Sequence, residues 1–109
     1  MRVVVLTWYR AGDTGTEAVR EAFLGVSERL RGQPGLLSAR LLLSQDEPDS
    51  LVIVSEWADM AAYKAWETEP AHRDITEPLR PYQDRQRARP FETFRVSARF
   101  ASMPAPAER

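Results

Sequence analysis

The side chains best suited to chemistry are concentrated in one stretch, residues 51–72. His72 is the only histidine of the chain. Because an unperturbed imidazole titrates near neutral pH, His72 is the first candidate for a general base. Tyr63 and Trp57 could orient substrate oxygens through the phenolic O–H and the indole N–H. We therefore predict His72, Tyr63 and Trp57 as catalytic residues.

A second set of residues is predicted to line a flat apolar pocket that binds the substrate: Trp66, Trp8, Thr7, Tyr82 and Phe23. Three tryptophans in 109 residues exceed what packing of a small core requires. A plain core would also explain aromatic residues at helical spacing. His72, for its part, could equally cap a helical turn or lie exposed. Both the functional and the structural interpretations stay open at this point.

Composition excludes several classes of function. The chain has no cysteine and one histidine, so we expect no metal site of the zinc type. It has no phosphate-binding loop and no dinucleotide fingerprint, so flavin, nicotinamide and ATP are unsupported. A net charge of −1 gives no electrostatic case for nucleic acid or acidic membranes. No apolar run is long enough to span a bilayer, and we expect a cytoplasmic protein.

The elements that must position these residues follow from hydrophobic periodicity. Period-2 patterns predict strands, and a 3.6-residue stripe predicts helices. The strands are predicted at residues 2–9, 36–44, 51–57 and 91–100, and the helices at residues 16–31 and 60–67, the latter continuing irregularly to residue 79. In the last strand, Phe94, Val96, Ala98 and Phe100 are predicted to face inward. We expect one domain, residues 1–100, and a loose tail, residues 101–109.

The order β-α-β-β-α-β predicts an α+β, ferredoxin-like fold with one four-stranded antiparallel sheet. Two helices cover only one face of such a sheet. The first and third strands are apolar on both faces, which would leave about five large side chains uncovered, at roughly 1.5–3 kcal/mol each. A second copy packed face to face would bury them, so we predict a homodimer. The ligand cavity should lie between the helices and the sheet.

The pattern E-W-x-D-x-x-A-Y-x-x-W-x-x-x-P-x-H, from Glu56 to His72, resembles the antibiotic biosynthesis monooxygenase family of dimeric α+β barrels. The resemblance implies a homodimer that uses molecular oxygen, without a cofactor, on a small aromatic or polyketide-like substrate. Trp57 and Tyr63 match a tryptophan and a tyrosine of its cofactor-independent oxygenases. That branch also has an asparagine, whereas this chain contains none. Its arginine aligns near Arg73 or Arg80.

The function predicted from this resemblance is a cofactor-independent, monooxygenase-like tailoring enzyme that oxidises a phenol or anthrone to a quinone in secondary metabolism. Two alternatives remain. One is a non-catalytic or stress-related protein of the same fold that binds a small ligand. The other is haem binding and degradation: Trp66 matches a helix tryptophan of that branch, but Thr7 replaces its asparagine and His72 follows Trp66 too closely.

Overall fold

Four antiparallel strands form one sheet, in the order β2 (Leu36–Leu43), β3 (Ser50–Trp57), β1 (Val3–Arg10), β4 (Phe91–Arg95), with the helices packed on one face. The computed structural model describes residues 1–103. The elements are β1 Val3–Arg10, α1 Thr16–Arg29, β2 Leu36–Leu43, β3 Ser50–Trp57, α2 Met60–Glu67, α3 His72–Thr76 and β4 Phe91–Arg95, with 3-10 helices at Gly12–Thr14 and Glu77–Tyr82. This confirms the predicted α+β, ferredoxin-like fold with a four-stranded antiparallel sheet.

The core lies between α1 and the helix-facing side of the sheet. The α1 stripe buries Val19 and Val26 completely or nearly so. Opposite them, Tyr9 of β1 and Leu51 of β3 are paired across the ladder and both buried. Alternation along β1 and β3 thus sends every second side chain into the same apolar layer.

A close contact at Gly35 fixes the start of α2 against the start of β2. The Gly35 carbonyl accepts a hydrogen bond from the Ala58 amide at 2.8 Å. Gly35 has φ of 80°, and a Cβ built there would overlap the Cβ of Ala62. The position therefore requires glycine for both its backbone angle and the space it leaves.

The last strand differs from its prediction. β4 ends at Arg95 rather than at residue 100, and residues 96–103 adopt no regular structure. Phe94 pairs with Val4, on the sheet face away from the helices, so its predicted inward orientation was wrong. Residues 101–103 of the predicted tail are exposed; residues 104–109 lie outside the described part. The domain boundary at residue 100 stays a prediction.

The face of the sheet opposite the helices, called the open face below, is covered by no described helix or strand, although the loop of residues 84–87 reaches its edge at Trp8. Its apolar side chains come from all four strands: Val4, Leu6, Trp8, Leu42, Val52, Val54 and Phe94. Leu42 and Phe94 are 40% and 49% exposed, and the other five are half-buried. No helix in residues 1–103 is long and apolar enough to cross a membrane.

Candidate functional site

A cavity of about 270 Å³ lies between the helices and the sheet, as the sequence predicted. Its wall is mostly apolar and aromatic, and it includes a group of polar side chains. The aromatic residues in the wall are Tyr9, Phe23, Trp57, Tyr63, Trp66 and Phe91. The polar ones are Thr7, Ser27, Ser55, Glu67, His72, Thr76, Arg80 and Gln83. An apolar chamber with a few polar groups is typical of small-molecule sites.

Helix α2 presents Tyr63 and Trp66 to this cavity. Asp59 caps the helix, its Oδ1 accepting a hydrogen bond from the Ala62 amide at 2.8 Å. Tyr63 and Trp66 are three residues apart and therefore share one helix face, where both are buried. The Trp57 ring meets the Tyr63 ring edge-on, with centroids 5.5 Å apart. The capped helix thus gives the aromatic wall a fixed geometry.

Trp57 does not have a free hydrogen-bond donor. Its Nε1–H donates to Ser55 Oγ at 3.0 Å. Because indole has only one N–H group, the expectation that Trp57 orients a substrate oxygen is not met in this arrangement. The Trp57 ring contributes a flat apolar surface to the cavity instead.

His72 begins α3 and lies half-buried in the cavity wall. Its ring meets that of Trp66 edge-on, with centroids 4.6 Å apart. Burial, followed by the nearby Arg80 guanidinium, lowers the pKa of His72, and the Glu67 carboxylate opposes this shift. The imidazole is therefore neutral near pH 7, the form that can accept a proton.

Arg80 is a cation in the cavity wall that the sequence suggested only through the family's arginine. Its Nη2 donates to Thr76 Oγ1 at 3.2 Å, and Thr76 Oγ1 in turn donates to the His72 carbonyl at 2.8 Å. The Arg80 Nε–H is buried and has no partner among the described residues. His72, Thr76 and Arg80 are spaced at i, i+4 and i+8, so helical periodicity could have identified this row.

Tyr9 and Glu67 were also missed by the sequence predictions. Burial raises the pKa of Tyr9 to about 12, so its phenol stays protonated and can only donate or accept hydrogen bonds. Glu67 follows Tyr63 by four residues, and Tyr63 Oη donates to Glu67 Oε2 at 3.4 Å. Burial, and then Glu67, raises the pKa of Tyr63 well above its usual value.

Of the predicted substrate-binding residues, Trp66, Thr7 and Phe23 line the cavity, whereas Trp8 and Tyr82 do not. Trp8 is on the open face, because side chains alternate along β1 and its neighbours Thr7 and Tyr9 face the helices. There Arg87 stacks on the Trp8 ring, with Cζ 3.9 Å from the centroid. Tyr82 packs instead against the core cluster that contains Tyr9 and Leu79.

A second concavity, of about 530 Å³, lies on the open face beside Trp8 and Leu42. Its charged groups, except Asp46, are paired with one another. Arg10 contacts Glu47 at 3.0 Å, Asp49 at 2.9 Å and Asp84 at 3.4 Å. This concavity therefore lacks the unpaired Arg80 nitrogen that distinguishes the cavity under the helices. Within residues 1–103, no three metal-ligating side chains are grouped as a metal site.

Comparison with known proteins identifies the family. A family model described as antibiotic biosynthesis monooxygenase matches residues 1–78. This chain belongs to the antibiotic biosynthesis monooxygenase family. Protein SchA of Streptomyces halstedii is 34% identical over 83 residues, which cover 75% of this chain and 21% of that protein. The 42.8 kDa protein in the whiE locus of Streptomyces coelicolor is 33% identical over 67 residues, which cover 58% of this chain and 17% of that protein. The chain thus matches about a fifth of these relatives' length.

Solved structures share the family's fold at low sequence identity. SnoaB, a cofactor-independent oxygenase from Streptomyces nogalater, is 20% identical and superposes with a TM-score of 0.68 over 93% of this chain and 95% of its own. A conserved protein from Methanosarcina mazei Go1 is 13% identical, with a TM-score of 0.71 over 87% of this chain and 92% of its own. These similarities show that the chain shares the fold of these structures.

Proposed function

We propose that this protein is a cofactor-independent oxygenase that oxidises a phenol or anthrone of polyketide type to a quinone. The main support is the aromatic cavity between the helices and the sheet, which has His72 and Arg80 in its wall. The fold of SnoaB, described as a cofactor-independent oxygenase, gives a second support. The volume, about 270 Å³, suits a small planar ligand, since drug-sized pockets run from about 300 to 1,000 Å³.

In this proposal His72 begins the reaction by taking a proton from the substrate. The neutral imidazole removes it from the phenol O–H or the anthrone C–H, and Arg80 stabilises the oxyanion that results. The electron-rich anion then reduces molecular oxygen. For an anthrone, one oxygen atom of O₂ becomes the second quinone carbonyl, and the other leaves as water together with the two hydrogens of the methylene. Trp57 and Trp66 hold the ring system, and Tyr63, whose O–H donates to Glu67, accepts a hydrogen bond from a substrate hydroxyl.

Oxygen uptake with an anthrone or 1-naphthol, in protein stripped of flavin and metal, tests the proposal. We expect consumption above the protein-free rate, and a loss of about 10²-fold or more in His72→Gln, as for removal of a general base. Asp74→Asn is the control, because Asp74 is exposed on the same short helix and does not line the cavity. Wild-type protein that binds the substrate without consuming oxygen would instead establish a non-catalytic ligand-binding protein.

The occupied indole N–H of Trp57 supports that non-catalytic alternative, because it removes a donor expected to orient a substrate oxygen. Haem is the weaker alternative, because a cavity of about 270 Å³ is small for a tetrapyrrole. A haem titration followed at the Soret band separates it from the other two, since only a haem protein would shift that band.

We also propose that two copies pair through their open faces. Seven apolar side chains from four strands lie there, interrupted by Arg40, Glu56 and Glu92, and no described helix or strand covers them. Each fully buried side chain of this size contributes about 1.5–3 kcal/mol. A second copy presents the same apolar side chains, so two open faces packed together would bury each other's apolar surface.

A further inference from the structure

Two opposite charges in the cavity wall have no ionic partner. Glu67 ends α2, and its only side-chain contact among the hydrogen bonds of residues 1–103 is the 3.4 Å bond from Tyr63 Oη. Arg80 likewise forms no ion pair within these residues, and its Nε–H is buried without an acceptor. All eight ion pairs of the described part involve other residues.

Glu67 and Arg80 nevertheless both lie near His72. Both line the same cavity, and both act on His72, Arg80 lowering its pKa and Glu67 raising it, after the larger effect of burial. Buried charges in proteins are usually paired, since an unpaired charge loses its hydration without compensation. Glu67 and Arg80 are half-buried, and only the Arg80 Nε–H is fully buried. Because both face one cavity without pairing with each other, they leave a place for a molecule between them.

We propose that Glu67 determines substrate specificity: its carboxylate accepts a hydrogen bond from a hydroxyl of the ligand, while Arg80 donates to a second ligand oxygen. This inference rests on the proposed function only for the aromatic class of the ligand. The cavity then selects rings with two oxygen substituents, at least one of them a hydroxyl. Glu67 is a binding residue here, and His72 keeps the role of base.

The chemistry of the two groups explains the selection. A carboxylate can only accept hydrogen bonds, and a guanidinium can only donate them. Glu67 therefore requires a ligand hydroxyl, whereas Arg80 requires an oxygen that accepts a hydrogen bond. Hydrogen bonds with one ionised partner are about twice as strong as neutral ones. A ligand with one oxygen would displace water from both charges and satisfy only one of them. Sites built to bond a substrate hydroxyl reject analogues that lack it for this reason.

An anaerobic titration tests this without depending on turnover. The probes are 1,8-dihydroxynaphthalene and 1-naphthol, which share one ring system, and binding is followed by the fluorescence of Trp57 and Trp66 in the cavity wall. We expect wild-type protein to bind the diol at least about 10-fold more tightly than 1-naphthol. In Glu67→Gln, diol binding should weaken about 10-fold, while 1-naphthol binding stays within about twofold. Glu69→Gln is the matched control, since Glu69 is exposed two residues further along.

Several results would overturn the inference. Wild-type protein without preference for the diol is one, and an unchanged ratio in Glu67→Gln is another. Equal weakening of both probes would mean that Glu67 acts only by holding Tyr63 in place. If Glu67→Gln does not fold, Arg80→Gln must lose the same preference, and a retained preference there rejects the inference. Selective binding without oxygen uptake would reject the proposed oxygenase and leave this inference intact.

Discussion

His72 lies among groups that act on its charge in opposite directions. The exposed row on α3 holds Arg73 and Asp74, whereas the cavity side faces Trp66, Glu67 and Arg80. Burial is the largest of these influences and lowers the pKa of His72 below the ordinary value of 6.5. The unfolded chain therefore binds a proton more readily than the folded protein does.

This difference makes the free energy of unfolding depend on pH. The neutral imidazole's stabilising effect is fully present above pH 6.5 and is lost as the pH falls through the lower, folded pKa. We expect the free energy of unfolding, measured by urea denaturation, to fall from pH 7.5 to pH 5.5 by more in wild-type protein than in His72→Gln. An equal decrease in both proteins would show that His72 is not the group responsible.

The sequence could predict those site residues whose helical or strand spacing fixes the face on which they lie. Tyr63 and Trp66 line the cavity, as their spacing on one helix face predicted, and His72 lines it too, although the sequence left its orientation open. Trp8 was misplaced, although alternation along β1 already separates it from Thr7. Glu67 and Arg80 were not predicted as site residues, because a charged residue on a helix is normally solvated; only their i, i+4 relations to Tyr63 and Thr76 indicate otherwise.

At the scale of elements, Gly35 sets the distance between β2 and α2. Gly35→Ala introduces a methyl group that overlaps Ala62, the residue that receives the Asp59 cap. We expect the free energy of unfolding to fall by about 2–4 kcal/mol, the sum of a positive-φ cost and overpacking. Gly32→Ala is the control, since Gly32 has φ of 84° but no atom within 4 Å of the added Cβ. It should cost only about 1–2 kcal/mol. Equal losses in urea denaturation would show that the contact with Ala62 is unimportant.

A buried carboxylate joins three segments at the far end of β1. Asp84 is 5% exposed and contacts Arg10 of β1, which also pairs with Asp49 before β3. Asp84→Ala should lower the free energy of unfolding by about 1–3 kcal/mol, because the buried polar contacts lose their acceptor. Asp74→Ala is the control: its pair with Arg29 is exposed and should contribute less than about 1 kcal/mol. Losses of similar size in thermal denaturation would contradict a special role for Asp84.

The orientation of β4 shows a limit of hydrophobic patterns: they identify a strand without saying which of its side chains face the helices. Alternation in the last segment correctly predicted a strand, but it does not say which set of side chains faces the helices. That choice is made by the register with β1, where Phe94 pairs with Val4 and Thr93 with Val5. Register depends on partners distant in the sequence, so a shift of one residue reverses every assignment.

For the whole molecule, the sequence already indicated a sheet that is apolar on both sides, and the open face has that character. We expect Val52→Glu, which places a charge between Trp8 and Leu42, to convert a dimer into a monomer. Sedimentation velocity at about 10 μM measures this. Leu24→Glu is the control, since Leu24 is 46% exposed on α1, away from the sheet. A wild-type protein that sediments as a monomer would refute the pairing.

The sheet is a single backbone layer between the cavity and the open face, and adjacent residues of β1 serve opposite sides of it. Thr7 and Tyr9 face the ligand chamber, and Leu6 and Trp8 face outward. Anyone redesigning this protein can therefore use numbering parity as a guide. Substitutions at odd positions of β1 change which ligands the cavity binds, and substitutions at even positions change what the open face binds. A one-residue deletion in the strand would move each later side chain to the opposite face.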